Sequence, residues 1–118
     1  MRILLIEDEK EISYLYTEIL TSGGYQVISA FDGDEGIKIA QLGDWDVLLL
    51  DIMLPNKDGI EILKELNFLG LTDKKKVVIL SNIENSEVLK QSENLGALKY
   101  VIKSEIKPQE LLEIVTAL

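Results

Sequence analysis

The chain contains no cysteine and no histidine. The first absence excludes a disulfide framework and thiolate chemistry. The second removes the imidazole base and, with cysteine also missing, the usual ligands of zinc. Arg2 is the sole arginine and the formal net charge is −9, which argues against direct binding to nucleic acid or another polyanion. No apolar run approaches the roughly 18 residues needed to span a membrane. The N-terminal MRILLIEDE ends in acids and lacks the longer apolar region and cleavage site of a signal peptide. The expectation is a cytoplasmic protein without membrane contact, whose chemistry rests on carboxylates, hydroxyls, lysines and the backbone.

What is present suits one globular domain over residues 1–118, with 47% hydrophobic and 28% charged residues. Five β-like runs stand at Arg2–Ile6, Tyr25–Ser29, Asp46–Leu50, Lys76–Leu80 and Leu98–Ile102. Helical patterns lie between and after them. Ile12, Leu15, Tyr16, Ile19 and Leu20 form an amphipathic stripe that stops at Gly23-Gly24. Asp32 with Glu35 three residues on makes a capping-box-like start, and that segment stops near Gly43. Ile60, Leu63 and Leu66 mark a third helix ending about Gly70. A fourth, roughly Ser86 to Leu95, has only the thin stripe Val88, Leu89, Leu95. The last carries Pro108 near its first turn and then Leu111, Ile114, Val115 and Leu118. Strict alternation argues for an α/β fold, a parallel sheet with helices on both faces. Runs one, three and four are almost wholly apolar and read as central, while runs two and five carry polar positions and read as edges. The doubly wound order 2-1-3-4-5 follows.

In such sheets ligands bind beyond the carboxyl ends of the strands. Strand one leads to Glu7 and Asp8, strand three to Asp51, strand four to Ser81 and strand five to Lys103. Two carboxylates about 5 Å apart repel by roughly 3 kcal/mol at an effective dielectric near 20, so three together call for a cation. Oxygen-only ligands indicate a hard ion, most plausibly Mg²⁺. With a lysine and a hydroxyl added, the set suits a phosphoryl group, for which positioning and charge neutralisation matter more than a proton-transfer base. Asp51 is then the nucleophile and forms an acyl phosphate.

The motifs IEDE after strand one, DIMLPNKDG around strand three, VVILS at strand four and YVIK at strand five carry a resemblance across the whole chain. The sequence resembles a response-regulator receiver domain of two-component signalling. The resemblance implies a (βα)5 flavodoxin-like sandwich and a phosphorelay switch that catalyses only its own aspartyl phosphorylation and dephosphorylation. By it, Asp51 is the phosphoacceptor, Asp8 a direct Mg²⁺ ligand and Glu7 a ligand mostly through water, with the Met53 carbonyl completing the set. Ser81 bonds the phosphoryl group and Lys103 pairs with it. Tyr100 is the aromatic that turns inward once Ser81 moves, changing the face formed by helix four, strand five and helix five. Pro55, Asp58 and Gly59 shape the turn into helix three. The implied partners are a sensor histidine kinase or phosphotransfer protein and a downstream output domain or target, and homodimerisation on phosphorylation stays open.

Three departures from the family pattern stand out. Asn82 follows Ser81 where Ala or Gly is usual, and its bulk is expected to narrow access and slow phosphoryl gain or loss. Lys103 is followed by Ser104 rather than Pro. A second lysine precedes Pro108, but Lys107 lies past the strand, so Lys103 reads as the site lysine. The output face has no arginine. Two other readings compete: a pseudo-receiver that acts only as an interaction scaffold, and an aspartyl-nucleophile phosphatase. The phosphatase typically needs a second carboxylate two residues after the nucleophile, and that position holds Met53.

Overall fold

The computed structural model describes every residue except Asn56 and Ile83, so Asn56 of the DIMLPNKDG motif lies outside the described residues. Among those described, strands and helices alternate as β1 (Arg2–Ile6), α1 (Lys10–Ser22), β2 (Gln26–Ala30), α2 (Gly33–Gln41), β3 (Val47–Asp51), α3 (Gly59–Phe68), β4 (Lys76–Ser81), α4 (Ser86–Asn94), β5 (Lys99–Ile102) and α5 (Glu110–Thr116). A 3-10 turn, Lys103–Glu105, follows β5. All strands are parallel, in the order β2-β1-β3-β4-β5, as the hydrophobic pattern predicts.

Burial along the strands explains that order. Every residue of β3 is buried, as are all but the first of β1 and β4, whereas β2 and β5 each bury one residue. Side chains alternate between two apolar layers, as the period of a strand requires. Leu4, Ile6, Leu48, Leu50, Val77 and Ile79 pack with Ile37 of α2 and Ile62, Leu63 and Leu66 of α3. Ile3, Leu5, Val47, Leu49, Val78 and Leu80 pack with Tyr16 and Leu20 of α1 and Leu111 and Val115 of α5. Fully burying one such aliphatic side chain contributes about 1.5–3 kcal/mol, so β1, β3 and β4, which lead to Glu7, Asp51 and Ser81, are the strands most firmly held.

Two helices depart from their expected patterns. In α1 the inner face carries Ser13, Tyr16 and Leu20, while Leu15 is 43% exposed. A small serine lets the helix approach the sheet, and the wider stripe read from apolarity alone turns partly to solvent. α5 starts at Glu110, two residues past Pro108, and ends before Leu118. The other boundaries follow their signals. Gly24 takes the left-handed φ of +94° that ends α1, and Asp32 Oδ1 caps α2 by accepting the Glu35 N–H at 2.8 Å. α4 buries only Ser92, in keeping with its thin stripe.

Where the chain enters α3, Gly59 lies close against the backbone at the end of β3. The Gly59 N–H donates to the Ile52 carbonyl at 2.8 Å, and Asp58 Oδ1 caps the helix through the Glu61 N–H at 2.9 Å. A Cβ on Gly59 would stand 2.5 Å from the Asp51 carbonyl oxygen and 2.7 Å from Ile52 Cα, backbone atoms with little freedom to retreat. Gly59→Ala is therefore expected to lower stability by about 1–3 kcal/mol, read as a drop in urea midpoint with an unchanged slope. At Gly33 the nearest atoms belong to the flexible tip of the Ile62 side chain, so the same change there should cost less.

Candidate functional site

Strand register brings the expected residues to one edge. Ile6 pairs with Leu50 across β1 and β3, so one step further Glu7 comes level with Asp51. Asp51 pairs with Leu80 of β4, and Ser81 is the next residue and pairs with Ile102 of β5. Asp51 and Ser81 are thus the last residues of their strands rather than the first beyond them. Carboxylate oxygens of Glu7, Asp8 and Asp51 all lie within 4.8 Å of one another. Glu7 is fully buried, Asp51 is 4% exposed and Asp8 is half-buried.

Lys103 closes the cluster. Its Nζ donates to Glu7 Oε1 at 2.5 Å and to Asp51 Oδ2 at 3.2 Å, with its side chain 10% exposed. The second carboxylate oxygens of Glu7 and Asp51 find backbone donors. The Glu9 N–H reaches Glu7 Oε2 at 3.2 Å and the Met53 N–H reaches Asp51 Oδ1 at 3.1 Å. Lys107 plays no part here; its backbone N–H is bonded to Glu110 Oε1 at the approach to α5. Ser81 is buried at the end of β4, and Tyr100 is half-buried in β5, packed against the layer formed with α2 and α3. Tyr100 also lines, with Leu89 and Ile102, a groove between α4 and β5 of about 300 Å³.

The electrostatics follow from this crowding. Burial pushes the Glu7 carboxyl up, with Asp51 adding to the rise and Lys103 opposing it. Burial raises Asp8 as well, reinforced by Glu7. For Lys103 burial alone would lower the pKa, but the hydrogen bond to Glu7 and the charges of Asp51 and Glu7 outweigh it and hold the ammonium above its ordinary 10.5. Three carboxylates against one ammonium leave two negative charges in a largely desolvated space. A divalent cation would balance them, and an all-oxygen donor set at this spacing fits Mg²⁺. Residues that could hold it are Glu7, Asp8 and Asp51, with the Met53 backbone following directly on.

Two contributors were not readable from side-chain identity: the N–H groups of Glu9 and Met53 that brace the carboxylates. Backbone donors follow from turn geometry, which the sequence specifies only loosely.

Fold and site together define a doubly wound α/β protein with an acidic, lysine-closed pocket at the carboxyl edge of its sheet. The family profile described as response regulator receiver domain matches residues 3–116, so the chain belongs to that family. It is 37% identical over 103 residues to the transcriptional regulatory protein DltR of Streptococcus agalactiae, a match covering 87% of this chain and 45% of that protein. The chain therefore spans less than half the length of this curated relative. A CheY-like response regulator receiver domain protein from Methanospirillum hungatei superposes with a TM-score of 0.90 at 29% identity, covering 98% of this chain and 90% of that one. The CheX-CheY-BeF3-Mg complex from Borrelia burgdorferi gives 0.87 at 25% identity, covering 99% and 87%. Among the described residues no helix is long and apolar enough to cross a membrane.

Proposed function

We propose that residues 1–118 act as a single receiver domain, a switch thrown by phosphorylation of Asp51. The observation that carries the reading is the cluster itself: three carboxylates within 4.8 Å, with the Lys103 ammonium bonded to two of them. A carboxylate oxygen of Asp51 attacks the phosphorus of a phosphohistidine on a sensor kinase or phosphotransfer protein, or of a small donor such as acetyl phosphate. The new O–P bond forms as the bond to the donor's leaving group breaks, and water later returns the phosphoryl group as phosphate. Mg²⁺, when bound, would neutralise the phosphoryl oxygens and hold them in line. Lys103 offers the one side-chain ammonium at the cluster to the same oxygens, and the Ser81 hydroxyl offers a hydrogen bond.

Release of Lys103 from Asp51 and recruitment of Ser81 would alter the end of β4, and Tyr100 in the neighbouring strand would turn in response. α4, with Ser92 as its one buried residue and Val88 packed part-buried on the core, has little to lose by moving. The face of α4, β5 and α5 would then present the signal to an output domain or target protein, or to a second copy. The domain would work in the cytoplasm, without binding nucleic acid directly.

Incubation with acetyl phosphate and Mg²⁺ should add one phosphoryl group to the intact mass, and hydroxylamine should remove it. No mass gain from acetyl phosphate or a cognate kinase, with no uptake of beryllofluoride, would sink the reading in favour of the interaction scaffold.

Metal binding should also be visible in stability. Binding to the native state alone adds about 2.7 kcal/mol at a hundredfold excess over Kd. Glu7 and Asp8 keep their protons to higher pH than ordinary carboxyls, so their contribution to metal-free stability is fullest below their ordinary values and is lost as pH rises through the raised ones. The cation needs the ionised forms. Thermal melts with Mg²⁺ or EDTA should therefore show a larger shift at pH 8 than at pH 5, and an equal shift at both would contradict the assigned ligands.

A further inference from the structure

Outside the acidic cluster, the side chain of Asn82 joins the end of β4 to the turn after β5. Asn82 directly follows Ser81, and its Oδ1 accepts the backbone N–H of Ser104 at 3.0 Å. Ser104 lies in the 3-10 turn Lys103–Glu105, which begins after Ile102 with no side-chain cap of its own. The first N–H groups of a helical turn have no partner within it and must find an acceptor elsewhere. Asn82 supplies that acceptor from 22 residues away.

The placement matters because of the residue beside it. Lys103 starts from β5, and its ammonium must pass the end of β4 to reach Asp51 on β3 and Glu7 beyond β1. A lysine stem has four carbons and gives up much rotamer freedom when its tip is held. Fixing the backbone beneath it narrows where the tip can go. Positioning errors at reacting atoms cost rate steeply.

We propose that Asn82 is a positioning residue for the phosphoryl site, a latch that holds the Lys103 turn against the end of β4 through the Ser104 N–H. Its expected effect on rate rests on the reading of Asp51 as phosphoacceptor, while the bond itself stands on geometry. The latch also carries a sign opposite to that of steric bulk. If Asn82 merely narrowed access, Asn82→Ala would label faster; as a latch, its loss slows labelling.

The test uses the full chain. Asn82→Ala should speed hydrogen exchange of the Ser104 amide and slow acetyl phosphate labelling by about two- to tenfold, the range of one net hydrogen bond. Ser104→Pro removes the donor and should slow labelling similarly, with the double variant no slower than either single one. In a Lys103→Ala background Asn82→Ala should make no further difference, because the latch acts only through that lysine. Asn82→Asp and Ser104→Ala keep the acceptor and the N–H respectively, and the Ser104 amide should stay protected in both. Faster labelling by Asn82→Ala, unaltered Ser104 exchange, or an equal slowing with and without Lys103 would each overturn the proposal. If the wild-type chain takes up neither phosphoryl group nor beryllofluoride, the phosphoacceptor reading fails. The latch is then decided by Ser104 exchange and by the double-mutant cycle between positions 82 and 104 in thermal melts, where strict additivity overturns it and coupling supports it. Should Ser104→Pro misfold, the Asn82 variants and the Ser104 amide still decide.

Discussion

Asp51→Asn is expected to abolish phosphoryl uptake from acetyl phosphate while leaving the chain folded. The substitution conserves shape at a position 4% exposed, so neither layer of the core is disturbed. It removes the carboxylate that the end of β3 presents to Lys103. An amide has one acceptor oxygen where the carboxylate has two. It can keep the Met53 N–H, now held at 3.1 Å, or receive Lys103 at 3.2 Å, but not both as before. Lys103 then leans on Glu7 alone, and the cluster drops from two net negative charges to one. The Mg²⁺-dependent rise in melting temperature should shrink accordingly. Intact mass after acetyl phosphate treatment reads the first effect and thermal melts read the second. A variant that still gained a phosphoryl group would move the acceptor elsewhere and sink the assignment of Asp51.

Removing Lys103 should have the largest effect on stability. In Lys103→Met the stem is roughly conserved but the charge is gone, leaving the fully buried Glu7 and the nearly buried Asp51 with no ammonium between them. Breaking a buried ion pair from one side costs about 3–5 kcal/mol. In the wild-type chain the raised pKa of Lys103 means that its contribution is complete below 10.5 and is lost as pH rises through the raised value, so pH 8 probes it fully. The loss should ease at pH 5, since burial raises the Glu7 carboxyl and lets it hold a proton to higher pH than an ordinary one, and should ease at pH 8 when Mg²⁺ replaces the missing positive charge. Urea midpoints under those conditions decide the matter. A deficit equal at both pH values and indifferent to Mg²⁺ would mean that the lysine serves by packing its stem rather than by its charge.

Much of this was legible before any coordinates. Runs such as DVLLL and KVVIL are too short and too β-branched or leucine-rich to be anything but strands in an alternating chain, and their uniform apolarity marks them as central. Once the order of strands follows, the residues at their carboxyl ends must share an edge, and Glu7, Asp8, Asp51, Ser81 and Lys103 do. What could not be read depends on orientation rather than identity. Leu15 belongs to the apolar stripe of α1 by spacing, yet the sheet accepts Ser13 because close approach rewards small volume there. Pro108 stands near the first turn as expected, with the Leu111 N–H bonded to its carbonyl at 3.2 Å, and the regular helix is counted from Glu110 two residues on. That Asn82 bonds to Ser104 required knowing how two loops 22 residues apart face each other. Its bulk was visible in the sequence; its partner was not.

The enclosure of β3 has a consequence for chain length. Val47 and Leu49 face one apolar layer, Leu48 and Leu50 the other, and every neighbour is occupied. A slip of one residue would exchange the two sets and turn each side chain toward a space shaped for another. The position of the Asp51 carboxylate is therefore specified by a count of residues as firmly as by its chemistry. A single-residue deletion within Val47–Leu50 should be far more damaging than one in the segment from Leu71 to Lys75 between α3 and β4, where most side chains meet solvent at least in part. Across related chains, length variation would then be admitted by that connection and refused by the strand.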